Sequence, residues 1–211
     1  MKFIDLTHPV LAQMPAYPGD PLPEICCIAN ISHDGFTDHQ ITSGMHIGTH
    51  MDGPLHMLEG GAYLTEIDIA RFFGRGVLID AKGRDLIDID VLDGIRLAQG
   101  DIVLLNTGFH HQFWQPNYYT NYPEISAALA KALVAADISI IGLDTPSPDR
   151  PPYPIHKILL YNPVLIIENL SNLDTLAHAL GPFGRFDIVA LPAKFHTDAA
   201  PIRVVACISD E

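Results

Sequence analysis

The chain has 211 residues, 48% hydrophobic and 18% charged, which is ample apolar material for a folded core and excludes an intrinsically disordered chain. Against 12 Lys and Arg stand 25 Asp and Glu, a formal net charge of −13, with no clustered basic stripe for a nucleic-acid backbone and no polybasic membrane patch. No segment approaches the roughly 20 apolar residues that span a bilayer, and residues 1–15 lack the apolar run of a secretory signal.

Cys26, Cys27 and Cys207 are too few for a disulfide framework, and the expectation is buried, reduced thiols in a cytoplasmic protein of one domain, residues 1–211. In chain order, short apolar runs bounded by turn residues predict strands at residues 3–7, 25–31, 37–43, 77–80, 102–106, 138–142, 164–167, 186–190 and 203–207. Tyr17-Pro18-Gly19-Asp20 fits a type II turn, with Pro second and Gly where φ is positive. A helix is expected over 89–98, ending at Gly100. Another is expected after Pro123, where Ile125, Leu129, Ala132, Leu133 and Ala136 fall on one face. A third covers 173–180, stopped by Gly181-Pro182. Strands first, then strand–helix alternation, predict a mixed α/β domain.

The chemistry concentrates in Met45-His46-Ile47-Gly48-Thr49-His50-Met51-Asp52-Gly53-Pro54-Leu55-His56. A lone histidine is most simply a hydrogen-bonding loop residue. Here three histidines and one carboxylate occur within eleven residues, and imidazole with carboxylate suits zinc, manganese or iron. A straight strand cannot close such a site. Four extended residues cover about 13 Å, whereas ligands must each bring a donor to about 2.0–2.2 Å from the ion. Gly48, Gly53 and Pro54 permit the necessary curling, so an irregular loop after the strand at 37–43 is expected.

The stretch His46-x-Gly48-Thr49-His50-x-Asp52-x-Pro54-x-His56 resembles the signature of the cyclase-like metal hydrolases, which include bacterial kynurenine formamidases and isatin hydrolases. Phe3-Ile4-Asp5-Leu6-Thr7, Tyr17-Pro18-Gly19-Asp20, Asn106-Thr107-Gly108, Gly142-Leu143-Asp144-Thr145-Pro146-Ser147, His156 and Glu168-Asn169-Leu170 are similar to the family's other blocks. The resemblance therefore runs through nearly the whole chain.

It implies a barrel-like β core with flanking helices and a homodimer or homotetramer. It also implies one or two divalent ions per chain, Zn2+ or Mn2+, acting on a small-molecule substrate. His46, His50 and Asp52 would hold one ion. Asp52 would bridge to a second held by His156 and Glu168, twelve residues apart. His56 would transfer protons, a role that an imidazole titrating near neutrality can fill. On the residues alone, His156 reads as a surface residue of a Pro-rich segment and Glu168 as a helix-start or edge charge. Asp144 and Ser147 read as loop residues near the site, since Ser147 lies in a Thr-Pro-Ser-Pro turn and not a Gly-x-Ser-x-Gly elbow.

Substrate recognition is less determined. Phe109, Phe113, Trp114, Tyr118, Tyr119 and Tyr122 cluster within fourteen residues; with Tyr17, Phe109 and Trp114 are candidates for lining an aryl pocket, and a packed surface loop is the alternative. His110-His111 is not a metal pair without further ligands. Two departures from the family pattern stand out: Tyr17 where formamidases often carry Trp, and Lys194-Phe195-His196 in a segment usually richer in glycine. Three readings follow: an arylformamidase-like enzyme acting on N-formylkynurenine, a cyclic amide or imide hydrolase, and a metal-binding module without catalysis.

Overall fold

The computed structural model describes residues 1–181 and 184–209, so Pro182 of the expected helix stop lies outside the described residues. The elements follow in the order β1 (Lys2–Asp5), β2 (Glu24–Ala29), α1 (Ile31–Asp34), β3 (Asp38–Thr42), β4 (His50–Asp52), β5 (Phe73–Asp80), β6 (Leu86–Ile87), β7 (Ile102–Asn106), β8 (Glu124–Ile125), α2 (Ala127–Ala135), β9 (Ile140–Leu143), α3 (Pro154–Tyr161), β10 (Leu165–Glu168), α4 (Leu173–Leu180), β11 (Phe186–Pro192) and β12 (Ala199–Ile208). Hydrogen bonding runs β12-β11-β5-β7-β9-β10-β4 and β4 returns to β12, which closes the sheet into a barrel-like ring; β1 attaches outside the cycle, on β12. The neighbours β5, β7, β9 and β10 are parallel, and the remaining pairs of the ring are antiparallel. Closure leaves the ring without an open edge for unwanted pairing.

The parallel strands read as continuous Ile, Leu and Val runs because both of their faces are covered; all five residues of β7 are buried. Successive side chains face opposite ways. Leu104, Ile140 and Ile167 join Leu173 and Leu176 of α4 in one core. Val103, Leu105, Ile141 and Ile166 join Leu129 and Leu133 of α2 and Ile155 and Leu159 of α3 in a second.

Several expectations shift. Helix α2 starts later than Pro123, because Ser126 caps it by accepting the Leu129 N–H at 3.0 Å, while Glu124 and Ile125 pair with β6. The helix expected over 89–98 is a single 3-10 turn, Ile89–Leu92. Gly94 at φ +76 turns the chain away, and Ile95 and Leu97 pack against the second core without helical structure there. Tyr17 to Asp20 does form a turn, with the Asp20 N–H on the Tyr17 carbonyl at 2.9 Å and Gly19 at φ +103. Cys26 and Cys27 are exposed on β2, and Cys207 is half-buried, so the expectation of buried thiols is corrected. Among the described residues no helix is long and apolar enough to cross a membrane.

The strands β2 and β3 form a separate two-stranded ribbon that contributes no buried residue, and neither does α1 between them. Such a ribbon is at best marginally stable on its own.

His8, beyond β1, stacks on Phe113 with ring centroids 3.9 Å apart. Its Nε2 is buried without a partner. Burial, and then the neighbouring His110, push its pKa from 6.5 down to about 4. Unfolded chains therefore take up a proton between about pH 6.5 and 4 that the folded protein refuses, so this contribution to stability is complete above 6.5 and is lost as pH falls toward 4. Urea unfolding at pH 7 and pH 5 is expected to show a smaller acid loss in His8→Phe than in the unsubstituted protein.

Candidate metal centre

His50 and Asp52 lie two apart on β4 and so share a face, while Met51 points into the first core. Pairing with β10 sets His50 opposite Glu168 and Asp52 opposite Ile166. Ahead of the strand, Gly48 turns at φ +55, and a Cβ there would meet Met14 Cε at 2.9 Å. After it, Gly53 leads into a 3-10 turn, Pro54–His56, which brings His56 back to His46 with ring centroids 4.3 Å apart. The signature is thus part strand and part turn, which corrects the expectation of an irregular loop throughout. The expectation of His156 as a surface residue is corrected too. It is buried on α3, whose first turn Pro154 opens.

His50 Nδ1 donates to the Gly48 carbonyl at 2.9 Å, and His156 Nδ1 to Asp149 Oδ1 at 2.6 Å. Both imidazoles are thereby fixed with Nε2 toward a common centre, the arrangement by which ligating histidines are oriented. There His50 Nε2 lies 3.5 Å from Asp52 Oδ1 and 3.3 Å from Glu168 Oε2. His156 Nε2 lies 3.3 Å from Glu168 Oε1 and 3.8 Å from Asp52 Oδ2. His46 Nδ1 approaches Asp52 Oδ1 at 2.9 Å.

His50 Nε2 and both Asp52 carboxylate oxygens are nevertheless buried without a hydrogen bond of proper geometry, close as His46 Nδ1 comes to Asp52 Oδ1. They face one another as atoms aimed at a shared point. A buried carboxylate left so is strongly unfavourable unless a cation compensates it. Donor atoms of His46, Asp52 and His56 lie within 4.8 Å of one another, as do those of His50, Asp52 and Glu168. Asp52 is common to both groups. This donor chemistry fits a divalent ion, with Asp52 placed to serve two.

The electrostatics agree. Burial alone would lower the pKa of His46, but the adjacent Asp52, then Asp198 and Glu168, raise it to about 10. For His156, burial is likewise outweighed by Asp149 and Glu168, again to about 10. His50 is raised against its burial by Asp52 and Glu168. Asp52 and Glu168 are lowered despite burial, chiefly by the surrounding histidines. Protons here occupy a place that asks for positive charge.

Asp198 was missed in the sequence. Its Oδ2 lies 2.9 Å from His46 Nε2 and 3.3 Å from His56 Nδ1. It precedes β12, and pairing of Ala199 with Asp52 puts it there. His196 instead stacks on Tyr63 at 3.8 Å and bonds Thr65 at 2.7 Å, and Lys194 lines a separate groove. Ser147 donates to the Asp149 carbonyl at 2.8 Å and Asp144 is engaged by Thr107 and His110, so the two do not form a nucleophilic pair.

The cluster opens into a cavity of about 230 Å³ lined by His46, His50, His56, His156 and Glu168, with Tyr17, Met57, Tyr119 and Tyr153 among its walls. Tyr17 lines this cavity, its hydroxyl 3.4 Å from that of Tyr153. Phe109 and Trp114 do not line it. Phe109 packs with Tyr118 at 5.2 Å, and Trp114 is 55% exposed. A larger hollow, about 620 Å³, lies between β5 and α4. None of its described lining residues is a histidine, so the smaller cavity is the candidate for chemistry.

The family described as "Putative cyclase" matches residues 4–150. The chain is 33% identical to an uncharacterised protein of Methanocaldococcus jannaschii, over 99% of this chain and 100% of that one. It is 27% identical to the kynurenine formamidase of Bacillus cytotoxicus, covering 97% and 96%. Among solved structures, a potential metal-dependent hydrolase with cyclase activity superposes with a TM-score of 0.83 at 30% identity, covering 100% and 99%. Isatin hydrolase A from Labrenzia aggregata superposes at 0.86 with 23% identity, covering 99% and 94%, a likeness of fold alone.

Asp149 orients His156 from outside the cluster, so Asp149→Asn is expected to weaken Mn2+ binding by about 10–100-fold in a calorimetric titration.

Proposed function

The chain belongs to the cyclase family and is a metal-dependent hydrolase, and we propose that it hydrolyses the carbon–nitrogen bond of an aryl formamide such as N-formylkynurenine. The observation that carries this reading is the convergence of His46, His50, His156 and Glu168 on Asp52 beside a cavity that these histidines and Glu168 line together with His56, Tyr17, Tyr119 and Tyr153. The formamidase relatives, covered along almost their whole length, support the substrate class.

In this reading His46, His50, Asp52, His156 and Glu168 hold one or two divalent ions, Zn2+ or Mn2+, which imidazole and carboxylate donors suit. Such an ion, when bound, polarises a carbonyl and lowers the pKa of bound water toward roughly 7. His56 supplies the proton transfer. Asp198 takes its Nδ1 side, leaving Nε2 to accept a proton from the attacking water and return it to the departing nitrogen. The formyl C–N bond breaks, water supplies the new C–O bond, and formate and an arylamine leave. Tyr17, Tyr119 and Tyr153 offer ring faces and edges to an aryl group and reduce water access.

Hydrolytic opening of a cyclic amide is the second reading, favoured by Tyr17 at the position where formamidases often carry Trp and by the isatin hydrolase fold likeness. It yields one product and no formate.

A second copy of the chain completes the proposal. The ribbon of β2 and β3 exposes Ile28 and Ile41, and the short helix and turn between them expose Ile31 and Phe36. An arm of this kind is stabilised by a partner and not by its own fold.

Three measurements test these readings. Ion-loaded protein is expected to release formate from N-formylkynurenine, lose that activity on chelation and regain it with Zn2+ or Mn2+. Ring opening of a cyclic amide without formate release supports the second reading, and neither activity supports a binding module. His56→Ala is expected to keep its ions and lose at least about a hundredfold in kcat; near-normal turnover removes His56 from the mechanism. Light scattering after size exclusion is expected to show a homodimer or homotetramer, converted toward monomer by Ile28→Glu with Ile41→Glu.

A further inference from the structure

The histidine pair read from the sequence as lacking further ligands acquires one in the fold. His110 and His111 lie in a 3-10 turn, Phe109–Gln112, just beyond β7, and Asp174 lies in the first turn of α4. Donor atoms from the three side chains all lie within 4.8 Å of one another. None of them lines the cavity of the candidate metal centre.

His110 is held from behind. Its Nδ1 lies 2.9 Å from Asp144 Oδ2. Asp144 is fully buried, and its Oδ1 accepts the Thr107 hydroxyl at 2.6 Å and the Thr107 N–H at 3.1 Å. An ionised carboxylate only accepts, so Nδ1 carries the hydrogen and Nε2 presents a lone pair in the neutral ring. That Nε2 is 3.9 Å from Asp174 Oδ2, too far for a hydrogen bond. His111 Nε2 lies 2.8 Å from the same oxygen, and the two ring centroids are 4.1 Å apart.

The two oxygens of Asp174 are differentiated. Oδ1 is engaged by Asn106 Nδ2 at 3.1 Å and by Lys82 Nζ. Oδ2 is left to the two imidazoles. Tetrahedral ligation with bonds of about 2.0–2.2 Å sets donor atoms roughly 3.3–3.6 Å apart, and the observed 2.8 and 3.9 Å fall on either side of that spacing.

We propose that His110, His111 and Asp174 form a second divalent transition-metal site, suited to Zn2+, with Asp144 as the outer carboxylate that orients His110. Carboxylate–histidine–metal relays of this kind fix the ring and raise its basicity as a ligand. The site stands at the carboxyl ends of the parallel strands β5, β7 and β9, which contribute or precede Lys82, Asn106 and Asp144. His111 is 64% exposed, so a fourth position is open to water and the ion is exchangeable. Lys82 on Oδ1 opposes the incoming cation, and this places the affinity below that of the buried cluster.

The test is a calorimetric Zn2+ titration of the full chain, supported by ion counts at saturation. The unsubstituted protein is expected to bind one more Zn2+ per chain than His111→Ala, an exposed position whose replacement leaves the fold intact. Asp174→Asn is expected to lose the same ion, and Lys82→Met to bind it more tightly. Hydrolase activity of ion-loaded His111→Ala is expected to be unchanged, which separates this site from the buried cluster whatever that cluster's substrate. Equal stoichiometry and affinity in the unsubstituted protein and His111→Ala overturn the proposal.

Discussion

The register of β4 determines both the closure of the ring and the assembly of the buried cluster. This strand has three residues, and it pairs with β10 on one side and β12 on the other. The pairing with β10 sets His50 against Glu168, and the pairing with β12 brings Asp198 to the rim. A slip of one residue would turn Met51 into the polar cluster and two charged groups into the apolar core. Met51, buried with no exposed surface, therefore acts as a lock on the placement of its neighbours.

The cluster pulls against the rest of the fold. Two carboxylates and two imidazoles are nearly excluded from water; the outer nitrogens of the two imidazoles are hydrogen-bonded, whereas His50 Nε2 and the Asp52 oxygens lack a hydrogen bond of proper geometry. A sequence selected for stability alone would fill this space with apolar side chains, as the flanking residues of β10 do. Local rules are broken at positions where function demands it, and this donor set is one that a positive ion would compensate. Asp149, Gly48 and Asp198 form the outer layer that makes the conflict tolerable, because each satisfies one nitrogen of a histidine and fixes the direction of the other.

The ring strands were largely legible in the sequence, since runs such as Ile102–Asn106 are short, branched and bounded by turn residues. Strand β4 was not, because three residues between glycines carry no alternation to detect. The helix holding His156 was hidden behind three prolines, although Pro154 as a helix opener with Ile155, Leu159 and Leu160 on one side was a usable signal. The helix expected over 89–98 failed for the opposite reason: periodicity was present, but Gly94 takes a left-handed turn. The signature histidines could be found by their density, and His156 and Glu168 only by resemblance. Asp198 could be found by neither, since its approach to His46 depends on strand pairing across 152 positions of sequence. Among the aromatics, composition indicated a cluster without indicating which rings face inward; Tyr119 does and Trp114 does not.

Strand β12 is the longest in the molecule and touches β1, β11 and β4. Residues 46–56 emerge from the ribosome long before residues 198–208, so the ring cannot close until β12 has been made. Pairings this distant in sequence form late and slowly. The nascent chain thus carries the signature histidines on a segment without its β12 partner until that strand is available. Asp198 reaches His46 and His56 only when β12 docks, so the rim of the buried cluster is completed at the same step that closes the ring.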